Sequence, residues 1–155
     1  MNKLLLESIK IAMVYYRNKP EDKGLKEVIL AAKTSIIIGD NIIFLNALKK
    51  NSPEAFRLLE TLKKNLPEVS KEISLNKDLN YSGRKYQKIE YFICDSFNIM
   101  LTAYSSNKTG LVYDIADMLQ GIPDLQYWKA AKNMRSYYKV YVKPVAKKYN
   151  LDLKI

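Results

Sequence analysis

Asp114, Asp117 and Asp124 crowd into one short stretch, LVYDIADMLQGIPDL, in the last third of the 155-residue chain. Asp114 and Asp117 are three residues apart and share a face if the stretch is helical. Three carboxylates held together would offer the hard oxygen ligands that Mg²⁺ prefers. The same residues have a plainer use. Acids in the opening turns of a helix favour its positive end, and Asp124, just after the Gly121-Ile122-Pro123 corner, is a natural N-cap for the next helix. No fourth ligand and no phosphate-binding loop accompanies them, so capping is the preferred reading and no metal is expected. The pair can equally serve as contacts for a basic partner.

Positive charge follows at once. Residues 125–155 hold 8 Lys/Arg against 1 Asp/Glu, a net +7, whereas residues 1–66 carry +5 and residues 67–124 carry −2, within a formal total of +10. Drawn as one helix, Tyr127, Ala131, Met134, Tyr138, Tyr141, Val142, Val145 and Tyr149 fall on one side. Lys129, Lys132, Lys139, Lys143 and Lys147 fall on the other, with Trp128 and Arg135 near a border. Such a face attracts polyanions: the cations meet phosphates and Trp128 can stack on a base. Regularly spaced lysines opposite an apolar stripe are also the ordinary solvated face of a surface helix, and no helix-turn-helix, zinc-finger or RNP pattern is present. The candidate partner-binding residues are Asp114, Asp117, Trp128, Lys132, Arg135, Tyr137, Lys139 and Lys143. A protein partner would use Trp128, Arg135, Tyr137 and the aspartate pair as anchors. Nucleic acid would use Lys132, Arg135, Lys139 and Lys143.

The chain contains no histidine, which removes imidazole general bases, His-dependent triads and His-ligated zinc together. Its single cysteine, Cys94, has no histidine to activate it and borders an apolar stripe, so an inert buried thiol is expected. Neither a Walker loop nor a dinucleotide-binding glycine motif appears. The expectation is a non-enzymatic protein with no cofactor.

The elements that position these residues read as helices throughout. Leu5, Ile9, Ala12 or Met13, and Tyr16 give an amphipathic helix from Lys3 to Arg17, closed by Pro20 and Gly24. Leu25, Val28, Ile29, Ala32, Ile36 and Ile43 hold the helical period through Gly39. Gly39-Asp40-Asn41 is also a break signal, with Asp40 capping a new helix. Between Ile36 and Leu48 the run is apolar on nearly all sides, as in a central, buried helix; a strand at Ile36-Ile37-Ile38 is the lesser alternative. Ser52-Pro53-Glu54 opens a helix whose buried face is Phe56, Leu59, Leu62 and Leu66. Residues 67–82 are polar and are the expected loop, with a turn of helix at Glu68–Ile73. From Ser82 to Tyr104 the stripe Tyr86, Ile89, Ile93, Phe97, Met100, Tyr104 predicts a long helix with Asp95 on its solvent side. Leu111, Ile115, Met118 and Leu119 predict a short one, and Pro144 should kink or end the last. The predicted architecture is all-α, a compact bundle of six or seven helices in a single domain over residues 1–155.

Length suits one domain. A lone cysteine favours a reducing compartment, the N-terminal MNKLLLESIKIA lacks an uninterrupted signal core, and no apolar run is long enough to span a bilayer. A soluble cytoplasmic protein without a membrane partner is expected.

LVYDIADMLQGIPDL resembles a stretch of small bacterial helical proteins: aliphatic, Ala-Asp, two apolar positions, then His-Asn-aliphatic-Pro. Some of those proteins are immunity partners of bacterial toxins. Leu111, Ala116, Asp117, Leu119, Ile122 and Pro123 fit, while Gln120 and Gly121 stand where the pattern has His and Asn. The resemblance covers about 15 residues. It implies a protein that binds and blocks a cognate toxin without a cofactor.

Overall fold

The computed structural model describes residues 1–65, 89–123 and 135–153, apart from the side chains of Leu62, Lys63 and Asn65. Every regular element in them is helical, which bears out the all-α bundle. The polar segment 67–82, the start of the helix predicted from Ser82, and residues 124–134 with Asp124, Trp128 and Lys132 lie outside the described residues.

α1 (Lys3–Arg17) starts at Asn2, whose side-chain oxygen accepts from the Leu5 N–H at 2.7 Å. Its apolar face, Leu5, Ile9, Ala12, Met13 and Tyr16, is fully buried, as the spacing predicts. α2 (Leu25–Ile38) and α3 (Ile42–Asn51) form an antiparallel hairpin. Gly39 ends α2 in the left-handed region at φ +73°, its N–H bonded to Ser35 O at 2.9 Å, and Asp40 Oδ1 accepts from the Ile42 N–H at 2.9 Å. The break reading therefore holds, and neither a continuous helix nor a strand forms. A Cβ at residue 39 would meet nothing within 4 Å, so only backbone conformation opposes a side chain there. Gly39→Ala should cost about 1–2 kcal/mol, read as a lower urea midpoint with an unchanged slope.

Ser52 precedes α4 (Pro53–Asn65); its carbonyl accepts from the Phe56 N–H at 3.0 Å, while its hydroxyl, expected to cap the helix, lies instead 2.5 Å from the Tyr16 hydroxyl with both groups buried. Ala55 and Leu59 of α4 face the core, while Phe56, predicted to be buried, is only half-buried beneath Lys49. α5 (Ile89–Ser105) buries Ile89, Phe92, Ile93, Phe97 and Met100 at the centre of the bundle. The Met1 amino group reaches Glu90 across the α1–α5 boundary. α6 (Thr109–Gln120) lies chiefly against α1 and α5, through Leu111, Val112, Ile115, Ala116 and Leu119.

The C-terminal helix does not stop at Pro144. Helical residues 135–137 lead into a π-helical segment, Tyr138–Val142, and then α7 (Lys143–Tyr149). The Lys143 N–H bonds to Tyr138 O, one residue further back than in an α-helix. A proline removes one N–H and crowds the carbonyl four residues before it. Widening the preceding turn relieves both, so the chain continues with Pro144 in the first turn of α7. The widening also turns the helix faces. A wheel drawn at 3.6 residues per turn puts Tyr141 and Val142 inside together. The extra residue instead brings Tyr137 and Val142 inside and leaves Tyr141 about half exposed.

Candidate functional site

Two of the sequence candidates, Asp114 and Asp117, lie on α6, and each has a cation of its own. Asp114 Oδ2 accepts from Lys148 Nζ at 2.9 Å and from the Tyr149 hydroxyl at 2.7 Å. The hydrogen bond to Asp114 holds the Lys148 ammonium above its usual value. Asp117 Oδ1 lies 2.8 Å from Arg17 Nε as an ion pair without a well-directed hydrogen bond. The same guanidinium donates to the Tyr113 hydroxyl at 2.8 Å and stacks over that ring. The predicted placement in the opening turns is corrected: α6 begins at Thr109, so both acids lie beyond its first turn and neither serves the helix dipole. They tie α6 to α7 and to α1. Solvent-exposed pairs of this kind contribute little to stability.

Tyr137, expected among the partner anchors, is a core residue, 3% exposed. Its hydroxyl donates to Met118 O at 2.7 Å and its ring stands edge-on to Phe92. Arg135, Lys139 and Lys143 are exposed, as is Lys147, and none of the four makes an ion pair among the described residues. Tyr141 is 46% exposed and lies against Tyr137, its ring centroid 5.3 Å away. Cys94 is half-buried, and burial pushes its thiol above the usual range, which lowers its reactivity.

The most unusual surface is one the sequence assigned to the core. Ile37 is 76% exposed, Ile42 61%, Ile38 56% and Ile43 41%, gathered on either side of the Gly39 corner. The expectation of a central, buried helix through this run is therefore corrected. The break at Gly39 yields two short helices with apolar residues on more than one face. Val28, Ile29, Ala32 and Ile36 of α2, with Phe44 and Leu48 of α3, take the inward places. The second apolar face finds no further element of the described chain to cover it. That signal was legible: a break in an all-round apolar run leaves more apolar surface than one hairpin can turn inward.

Along the hairpin this face deepens into an open groove of about 710 Å³. Ala31 of α2 and Ala47 of α3 make its floor, flanked by Leu30 and Ile43. At the end remote from the corner the lining carries Lys23, Lys26 and Lys50 together with Glu27, which accepts from Lys50 Nζ at 3.1 Å and from Asn51 Nδ2 at 3.0 Å. Comparison with protein families, with curated proteins and with solved structures finds no significant match. No helix among the described residues is long and apolar enough to cross a membrane.

Proposed function

We propose that this is a non-enzymatic helical module that acts by binding another protein, as an immunity protein binds its toxin. The observation that carries this reading is the group of exposed isoleucines at the α2–α3 corner. Clustered exposed aliphatics are unfavourable for a monomer in water, and large apolar patches mark interaction sites. Interfaces are centred on such desolvated apolar anchors within a polar rim. The toxin-directed part rests on the resemblance of residues 111–125. Several of its matching positions, Leu111, Ala116, Leu119 and Ile122, are buried where α6 packs, so they speak for a helix-packing arrangement rather than for a contact surface.

The test is affinity purification of the tagged protein from its own host at about 0.15 M salt, where exposed charges are screened over roughly 8 Å. Wild type should recover one stoichiometric protein. Ile37→Glu/Ile42→Glu, at two exposed positions with little effect on stability, should recover less than about a tenth as much. For an immunity function, the recovered protein should also arrest growth when expressed alone and be relieved by co-expression. Recovery of the partner by the double variant would overturn the assignment to this surface.

A second reading keeps one specific observation, the exposed row Arg135, Lys139, Lys143 and Lys147, without an ion pair among the described residues. It predicts recovered nucleic acid that washes away steeply with added salt. Nucleic acid without protein in the same purification would favour it.

A further inference from the structure

We infer that the α2–α3 groove receives an acidic amphipathic helix of the partner, with its carboxylates gathered toward one end. This rests on the protein-binding reading and names what that surface recognises. The groove lies between two helices, whose backbone N–H and C=O groups are spent within the helices themselves apart from their ends. An extended peptide would find no backbone ladder there, whereas a helix brings its own hydrogen bonds and offers only side chains. The floor suits that shape. Ala31 and Ala47 are small and allow close approach, and Leu30 and Ile43 stand beside them as half-exposed aliphatic walls. α2, with 14 residues, is about 20 Å long, which matches an occupant of about 13–15 residues.

Charge fixes the occupant's sign and direction. Three lysines and one already-engaged glutamate crowd one end of the groove, while the other runs into Ile37, Ile38 and Ile42. A helix with acids toward one end and aliphatics toward the other meets both halves. A second copy of the chain fits less well on this hairpin. Its acids there are Glu27, held by Lys50 and Asn51, and Asp40, bonded to the Ile42 N–H.

Selection of a displayed library of helical peptides, about 15 residues long, against the full-length protein tests the inference. Enriched peptides should carry an apolar stripe at three- and four-residue spacing and a net negative charge clustered toward one end. Binding of a labelled enriched peptide should weaken at least about tenfold with Ile43→Glu and about tenfold with Lys23→Glu/Lys26→Glu, the latter loss shrinking as salt rises. Both variants lie on the exposed face, and unchanged circular dichroism verifies their fold. Enrichment of neutral or basic peptides, or binding indifferent to both variants, would overturn it. So would flotation with phosphatidylglycerol vesicles, or a concentration-dependent dimer, that Ile43→Glu abolishes. If the host partner is still lost with Ile37→Glu/Ile42→Glu while no acidic helix is enriched, protein binding stands and this inference alone fails.

Discussion

Tyr137→Ala should lower the unfolding free energy by about 3–5 kcal/mol, the usual cost of deleting a buried aromatic ring. A protein of this size has about 5–15 kcal/mol in total, so the variant should sit near the edge of folding. The ring is enclosed: Phe92 meets it edge-on at 5.9 Å and 83°, and Tyr141 lies 5.3 Å from it on the outer side. The hydroxyl clamps the C-terminal helix onto α6 through Met118 O. That carbonyl also accepts from the Gly121 N–H at 3.2 Å, so Tyr137→Phe leaves it partnered and should cost only about 1 kcal/mol. Urea unfolding of the two variants separates ring from hydroxyl. A loss below about 1 kcal/mol for Tyr137→Ala would contradict a core role, and reduced partner binding by a stably folded Tyr137→Phe would restore its place as an anchor.

Stability should also fall above about pH 10, chiefly through buried tyrosines. The Tyr16 ring is fully buried, and burial above all pushes its hydroxyl from 10.0 to about 12, although the bond to Ser52 pulls the other way. Its proton is held more tightly in the folded state than in the unfolded one. The associated stability is thus complete below about pH 10 and is lost as the pH climbs toward 12, because the unfolded chain releases its proton first. Two pH units correspond to about 2–3 kcal/mol. Burial raises Tyr137 as well and adds loss of the same sign. Urea midpoints measured from pH 7 to pH 11 should be level at first and then decline. Tyr16→Phe should start lower by about 1–3 kcal/mol, because the buried Ser52 hydroxyl loses its partner, and should decline less. A level profile in wild type through pH 11 would refute the linkage.

Much of the fold was legible because it is written in local periodicity. The inward faces of α1, α5 and α6 follow from apolar residues three and four apart, and Pro53 opens α4 at the first helical position, as its fixed φ favours. The misplacements share one cause: a wheel assumes a constant pitch, and a pattern cannot tell which of two apolar faces will be covered. Tyr137 and Tyr141 exchanged roles because Pro144 widens the turn before it. Asp114 and Asp117 are held by Lys148 and Arg17, which lie 34 and 100 residues away in sequence.

By itself the sequence determined that the chain is helical, where its apolar residues concentrate, that imidazole chemistry is absent, and that Gly39 is a point of weakness. Only the tertiary structure decided that the break at Gly39 is taken and that four isoleucines face outward beside a basic-ended groove. The reason is geometric. Helix formation responds to neighbours within a few residues, but burial is a competition for a core of limited surface. The hairpin offers more apolar faces than that core can receive.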